Sequence, residues 1–169
     1  MMVGRRRFTR DRHGRFHPRL SDEERRLLET LPSQALELLA SGDPSTRRLF
    51  PVAYPDDPHA EREYRSLVGE SLLDRHRRAL EALAKGAGAQ SVDEGELEQW
   101  MAALEVLRLV LGTKLDVQED IDRIDPADPR APELALYGYL SMLQDEVVGA
   151  LSRTLPAAPG AREGGGVAS

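Results

Sequence analysis

The sequence predicts an all-α fold, a compact bundle of four to five helices with a short N-terminal β-hairpin and a disordered C-terminal tail. A chain of 169 residues is long enough for one hydrophobic core. Aromatic residues make up only 5% of the chain, so leucine, valine and alanine must fill that core. Apolar residues also recur every three or four positions, as in residues 97–115, which is the spacing of one helix face.

The chain divides into a basic arm, residues 1–20, a helical domain, residues 21–155, and a tail, residues 156–169. The arm sequence "RRFTRDRHGRFHPRL" predicts a hairpin whose turn lies at residues 11–14, with Gly14 in a positive-φ conformation. Phe8 and Phe16 are expected to anchor its two strands to the body. The composition of "PAAPGAREGGGVAS" predicts disorder in the tail.

The first helix is predicted over residues 21–41. Ser21 and Glu24 have the spacing of a capping box, and Gly42 is a helix-ending residue. Pro32 is expected to kink this helix or to split it after Leu31.

A proline-rich segment, residues 43–58, follows and is predicted to be an ordered loop. Its apolar side chains are expected to dock onto the helical core: Leu49, Phe50, Val52 and Tyr54.

Three further elements complete the domain. A long helix is predicted over residues 59–85, and Ser91 with Glu94 predicts a capping box at the start of a central helix over 91–115. An acidic loop, residues 116–130, leads to a last helix that runs from Pro132 to Leu155.

The absence of cysteine excludes disulfides, thiolate catalysis, cysteine-ligated zinc and thiol redox sensing by these residues. No apolar run is long enough to cross a membrane, and no apolar run follows the basic start "MMVGRRRFTRDR". The expected protein is therefore cytoplasmic, with no membrane contact.

Neither an enzyme nor a cofactor site is predicted. The sequence lacks a glycine-rich phosphate loop, a nucleophile elbow and a dinucleotide-binding fingerprint. One cluster has the composition of a metal site: Asp56, Asp57, His59, Glu61 and Glu63. A single histidine among acids is more typical of the negatively charged first turn of a helix, so no metal is predicted.

Arg108 lies on the apolar face of the central helix, between Leu104 and Leu111. A guanidinium group at a core position must meet carboxylates or carbonyl oxygens. The candidate partners are Asp56, Asp57 and Glu146. A structural clamp is the favoured interpretation, and a ligand-binding arginine is the alternative.

The charge distribution is uneven. The first 20 residues hold seven arginines and one acid, whereas the remainder holds 16 basic and 28 acidic residues. The arm could follow a nucleic-acid backbone, dock on an acidic partner, or dock on this protein's own acidic body. Its arginines are Arg5, Arg6, Arg7, Arg10, Arg12, Arg15 and Arg19.

Three segments, "RRLFPVAYPDD", "ELEQWMAALEVLRLVLGTKL" and "LYGYLSMLQDEVV", resemble in order the AosR-like oxidative-stress regulators of actinobacteria. The most specific part is Trp100 followed by "RLVLG" from Arg108, with Tyr137 and Gln144 on the last helix. The resemblance spans roughly residues 5–153. Trp100 and Arg108 thus lie in the most recognisable segment of the family. This placement is compatible with either a core clamp or a shared interaction surface.

The resemblance implies a small helical regulator of transcription without catalytic activity. The implied partner is a sigma factor or RNA polymerase. An alternative is an adaptor of Clp-type protein quality control, because the family is commonly encoded beside a Clp adaptor. Glu105 stands where the family often has asparagine, and Tyr139 where it often has tryptophan. Redox sensing does not carry over, since cysteine is absent. The sequence leaves the oligomeric state open.

Overall fold

A computed structural model of the chain describes residues 5–117 and 123–154, which form a β-hairpin, four α-helices and one 3-10 helix. The predicted all-α bundle with an N-terminal hairpin is confirmed. The elements are β1 (Phe8–Arg10), β2 (Phe16–Pro18), α1 (Asp22–Ser41), the 3-10 helix (Pro44–Leu49), α2 (Pro58–Ala87), α3 (Glu94–Leu115) and α4 (Ala131–Ser152). The tail, residues 156–169, and residues 118–122 of the acidic loop lie outside the described residues.

The hairpin forms as predicted. β1 and β2 pair antiparallel with Phe8 opposite Pro18, and Gly14 takes a φ of 81° in the turn. Phe8 and Phe16 are both buried. Phe16 also exchanges two backbone hydrogen bonds with Val92, at 2.8 and 2.9 Å, so the hairpin is joined to the segment before α3.

The ends of α1 are those that the sequence predicts. Ser21 and Glu24 form a reciprocal capping box, and Gly42 ends the helix with a φ of 65°. Of the two effects expected of Pro32, a kink or a split, the split is wrong, because α1 is continuous through this residue. Pro32 is fully buried, and its packing offsets the hydrogen bond that its ring nitrogen cannot donate.

The start of α3 corrects one expectation. The capping box is formed by Asp93 and Glu96 rather than by Ser91 and Glu94. The pairing of Val92 with the hairpin keeps the backbone extended up to that point, so the helix begins at Glu94.

The segment between α1 and α2 follows its prediction only in part. Leu49 is buried and Phe50 is half-buried, but Val52 is 55% exposed and Tyr54 is 49% exposed. The expected docking of these last two residues is wrong. Glu61 of α2 accepts hydrogen bonds from the backbone of Ala53 and Tyr54, so this part of the loop folds over the start of α2 instead of the core.

Helix α3 lies at the centre of the bundle, between α2 on one side and α4 on the other. Its Trp100 is fully buried and meets the ring of Phe8 edge-on, with 5.8 Å between the ring centroids. The indole also lies directly against Gly86 of α2, where an added Cβ would come within 2.5 Å of Nε1. No helix of the described ranges is long and apolar enough to span a membrane.

The Gly86–Trp100 contact gives a first prediction. Gly86→Ala lowers the free energy of unfolding by about 1–3 kcal/mol, because the new methyl group overlaps a rigid buried ring. Urea denaturation of both proteins measures the change. Gly69→Ala in the same helix is the matched control, since a Cβ there meets nothing within 4 Å. The control is expected to leave stability unchanged or to raise it by up to about 1 kcal/mol, from helix propensity. Equal effects of the two substitutions would contradict the steric argument.

Candidate functional site

Arg108 is held between α3 and α4. Its side chain is 23% exposed, and its Nε donates a hydrogen bond to Ser141 Oγ at 2.9 Å. Its Nη1 donates to Gln144 Oε1 and, at 3.4 Å, to Glu105 Oε2. Since these acceptors come from its own helix and from α4, the guanidinium group joins the two helices.

The acceptors form a closed network. Gln144 Nε2 donates to the same Glu105 carboxylate at 2.9 Å, and Ser141 donates in turn to the Tyr137 carbonyl at 3.0 Å. The Tyr137 ring lies beside the guanidinium group, with 5.5 Å between its centroid and Cζ of Arg108. These α4 residues share one side of the helix because they are three or four positions apart. The described contacts use Nε and Nη1 of Arg108.

The expected partners of Arg108 are wrong. Asp56 is exposed, and Asp57 caps α2 by accepting hydrogen bonds from the His59 and Ala60 amides. Glu146 pairs with Arg7 instead. It lies only two residues after Gln144, about 200° around the helix, and therefore on a different side of α4.

Trp100 belongs to the core rather than to a surface. It is fully buried, and its Nε1 has no hydrogen-bond partner among the described residues. The structure therefore separates Trp100 from the polar contacts of Arg108.

The basic arm is attached to the body through Arg7. Its Nε donates to Glu24 of α1 at 3.1 Å, and its Nη1 donates to Glu146 of α4 at 3.3 Å. The Tyr139 hydroxyl donates to the same Glu24 carboxylate at 3.1 Å. Four side chains from the hairpin, α1 and α4 thus meet in one partly buried network.

The network shifts the pKa values of its members. Desolvation raises the pKa of Glu24, but hydrogen bonds from the Ser21 amide, Tyr139 and Arg7 outweigh it, so the pKa lies below its usual value. Desolvation and the Glu24 charge raise the pKa of Tyr139. Desolvation lowers the pKa of Arg7, but Glu146 and Glu24 outweigh it and raise the pKa. All three residues therefore stay in the protonation states that the contacts require.

The other six arm arginines are exposed. Arg15 contacts Ser91 through Oγ at 2.8 Å and the carbonyl oxygen at 3.1 Å. Asp11, the arm's acid, is turned into the hairpin: its hydrogen bond with His17 and those from the turn amides lower its pKa to about 2. The exposed charges of this hairpin are thus overwhelmingly positive.

The acidic cluster at the start of α2 makes contacts within the protein. Glu63 pairs with His59 at 3.4 Å, and Glu61 accepts backbone hydrogen bonds and the guanidinium group of Arg65. Within residues 5–117 and 123–154, no group of three metal-ligating side chains is placed to hold an ion.

Several contact residues were absent from the sequence-based candidates, among them Glu24, Glu105, Ser141 and Gln144. A signal existed for the last two, because they are polar positions three apart within a mostly apolar stretch of α4. Two concave surfaces were missed as well. One, of about 480 Å³, is an apolar groove among α1, α3 and α4, and the other, of about 490 Å³, lies beside the arm.

A family model described as a domain of unknown function (DUF2017) matches residues 5–151. Oxidative stress regulator AosR of Mycobacterium tuberculosis (strain ATCC 25618 / H37Rv) is 30% identical over 63% of this chain and 57% of its own length. Putative oxidative stress regulator AosR of Mycobacterium leprae is 32% identical over 66% and 60%. The chain thus spans less than two thirds of these relatives. No solved structure matches it.

The Arg108 network predicts coupling between α3 and α4. Arg108→Ala lowers the free energy of unfolding by about 1.5–3 kcal/mol, because charge-assisted hydrogen bonds to Ser141 and Gln144 are lost. A double-mutant cycle with Gln144→Ala, followed by urea denaturation, is expected to give a coupling energy of about 1–2 kcal/mol. Arg78→Ala, which removes an exposed pair with Asp74, is the control and changes stability by about 0.5 kcal/mol or less. Unchanged stability of Arg108→Ala would instead favour a ligand-binding role.

The lowered pKa of Glu24 predicts acid sensitivity. Its ionised form stabilises the fold above its ordinary pKa of 4.5, and this contribution is lost as the pH falls through the folded-state pKa. The stability advantage of the wild type over Glu24→Gln therefore shrinks between about pH 6 and about pH 3. Thermal unfolding across that range measures it. Glu23→Gln, at the exposed neighbouring position, serves as the control. A constant difference between wild type and Glu24→Gln at all pH values would refute the assignment.

Proposed function

This chain belongs to the DUF2017 family, and we propose that it is a non-enzymatic regulatory protein that acts on transcription through contacts with a protein partner. The resemblance to the AosR-like regulators is confirmed by the match to the mycobacterial proteins. The description of these relatives as oxidative stress regulators supports a regulatory role. The proposed partner is a sigma factor or an RNA polymerase subunit, as the resemblance implies.

The observation that carries the proposal is the rigid presentation of the arm's positive charges. Phe8 and Phe16 are buried in the core, and Arg7 is bound to Glu24 and Glu146, so the hairpin has a fixed position on the body. The other six arginines of the arm project into solvent. A fixed cationic surface on an otherwise acidic domain favours an acidic protein surface and raises the rate of encounter with it.

The negative charges of the body weaken the case for nucleic acid as the main partner. The net charge of the chain is −6, and the acids lie in the body that carries the arm. A long polyanion that contacts the arm would also approach this body and be repelled by it.

A response to oxidants through thiols of these residues is excluded, since the sequence contains no cysteine.

The test must keep the hairpin, because deleting residues 1–20 would also remove two buried phenylalanines and the Arg7 network. Exposed charges are neutralised instead. Arg10→Gln with Arg19→Gln is expected to lower partner capture several-fold, since these charges steer association. Affinity purification from native lysate with mass spectrometry measures capture. Arg62→Gln with Arg77→Gln, at exposed positions of α2, is the matched control.

Each outcome has a defined meaning. The proposal is supported if the wild type and the α2 control Arg62→Gln/Arg77→Gln enrich a sigma factor or polymerase subunit, and the arm variant Arg10→Gln/Arg19→Gln enriches it less. Enrichment of Clp components instead would replace it with a protein quality-control adaptor. Capture of DNA alone, with an affinity that falls steeply with salt, would replace it with direct nucleic-acid binding. Failure to capture any transcription protein contradicts the proposal.

A further inference from the structure

A hollow of about 490 Å³ lies where the start of the arm crosses the second half of α4. Its lining includes Arg5, Arg6 and Arg7 from the arm, Met142 and Asp145 from α4, and Arg153 directly after the end of α4. We call this surface the arginine hollow. The α4 positions share one side of the helix, because their spacing follows the helical repeat. Two separate parts of the chain therefore bring cations to one concave surface.

The charges of the arginine hollow are only partly neutralised within the protein. Arg7 is paired with Glu24 and with Glu146, which also lines the hollow. Arg5, Arg6 and Arg153 form no ion pair with any carboxylate in the described part of the chain. These three cations face a single additional carboxylate, Asp145. The hollow thus keeps an excess of positive charge that a ligand could satisfy.

The hollow also offers an apolar contact. Met142 lies on its wall and is 39% exposed, so its apolar side chain is accessible to a ligand. Methionine adapts its shape to different apolar groups, and guanidinium groups bind carboxylates in a bidentate manner. A volume of about 490 Å³ holds a few side chains, so the surface suits a short peptide segment better than a single small anion.

We propose that the arginine hollow binds a peptide segment of a protein partner in which acidic residues flank a large apolar residue. The acidic side chains pair with Arg5, Arg6 and Arg153, and the apolar side chain packs on Met142. This assignment rests on the proposed function, because it gives the place where the partner docks. Two carboxylates, Asp145 and Glu146, lie in the same hollow and disfavour a nucleic-acid backbone, which has no apolar group for Met142.

Selection from a random peptide library against the full chain tests the specificity. Peptides that combine aspartate or glutamate with leucine, phenylalanine or methionine are expected to be enriched. The enriched consensus peptide, labelled for fluorescence anisotropy, is then expected to bind Arg6→Gln/Arg153→Gln about tenfold more weakly than the wild type. Both arginines are exposed, so this variant keeps the fold.

Two further variants sharpen the result. Met142→Ser is expected to lower the affinity for the consensus peptide several-fold. It is expected to leave unchanged the affinity for a second peptide, in which serine replaces the apolar residue. Arg62→Gln/Arg77→Gln on α2 is the control and binds like the wild type. Three outcomes would each overturn the assignment. The selected peptides could lack acidic residues, the α2 control could lower the affinity for the consensus peptide as much as Arg6→Gln/Arg153→Gln does, or a single-stranded oligonucleotide could bind more tightly than the peptide.

The same variants separate this inference from the proposed function. If Arg6→Gln/Arg153→Gln captures the transcription partner as well as the wild type does, whereas Arg10→Gln/Arg19→Gln does not, the assignment of the arginine hollow as the peptide site is wrong. The proposed regulatory role then stands. If no transcription protein is captured but the acidic peptide binds in the hollow, the regulatory role fails and the peptide site stands.

Discussion

The burial of one indole ring fixes the positions of three elements. Trp100 of α3 lies against the bare backbone of Gly86 in α2 and receives the ring of Phe8 from the hairpin. No other residue type could stand at position 86 without displacing the ring, so the distance between α2 and α3 is set by the absence of a side chain. The indole leaves its Nε1 without a described partner, which costs free energy. That cost is offset by the large apolar area that the ring removes from water.

Helix α4 depends on this arrangement and adds polar contacts on both of its edges. Its core side carries Leu140, Leu143 and Val147, which pack on the rest of the bundle. One edge meets Arg108 of α3 through Ser141 and Gln144, and the other meets the arm and α1 through Tyr139 and Glu146. Apolar burial supplies most of the stability, whereas paired polar groups at the margins disfavour sliding or rotation of the helix. The charge on the apolar face of α3 thus lies in a hydrogen-bond network that links α3 to α4.

The sequence was sufficient for the elements and insufficient for the contacts between them. Capping residues, Gly42 and the apolar spacing act locally, so the helices and the hairpin could be predicted to within a few residues. The start of α3 was misplaced because a long-range bridge from Phe16 holds Val92 extended. The partners of Arg108 were misassigned for a related reason: the side of α4 that faces α3 depends on the packing of the whole bundle. The candidate partners named from the sequence were all acidic, whereas the neutral amide of Gln144 accepts from Arg108 and donates to Glu105.

Docking of the arm on the protein's own body is compatible with the proposed binding of a partner by the same arm. The composition of the arm had suggested that these were alternatives. Arg7 satisfies the body's own carboxylates, as an internal docking role requires, but a single guanidinium group is enough for that purpose. Of the six remaining arginines, Arg15 hydrogen-bonds to Ser91, and the other five lie exposed on a surface whose position Phe8 and Phe16 fix. Fixing a charged surface in advance lowers the conformational entropy that a partner must overcome on binding. In the proposed peptide site, Arg7 also keeps Glu146 occupied, so that this carboxylate does not compete with an acidic ligand for the neighbouring arginines.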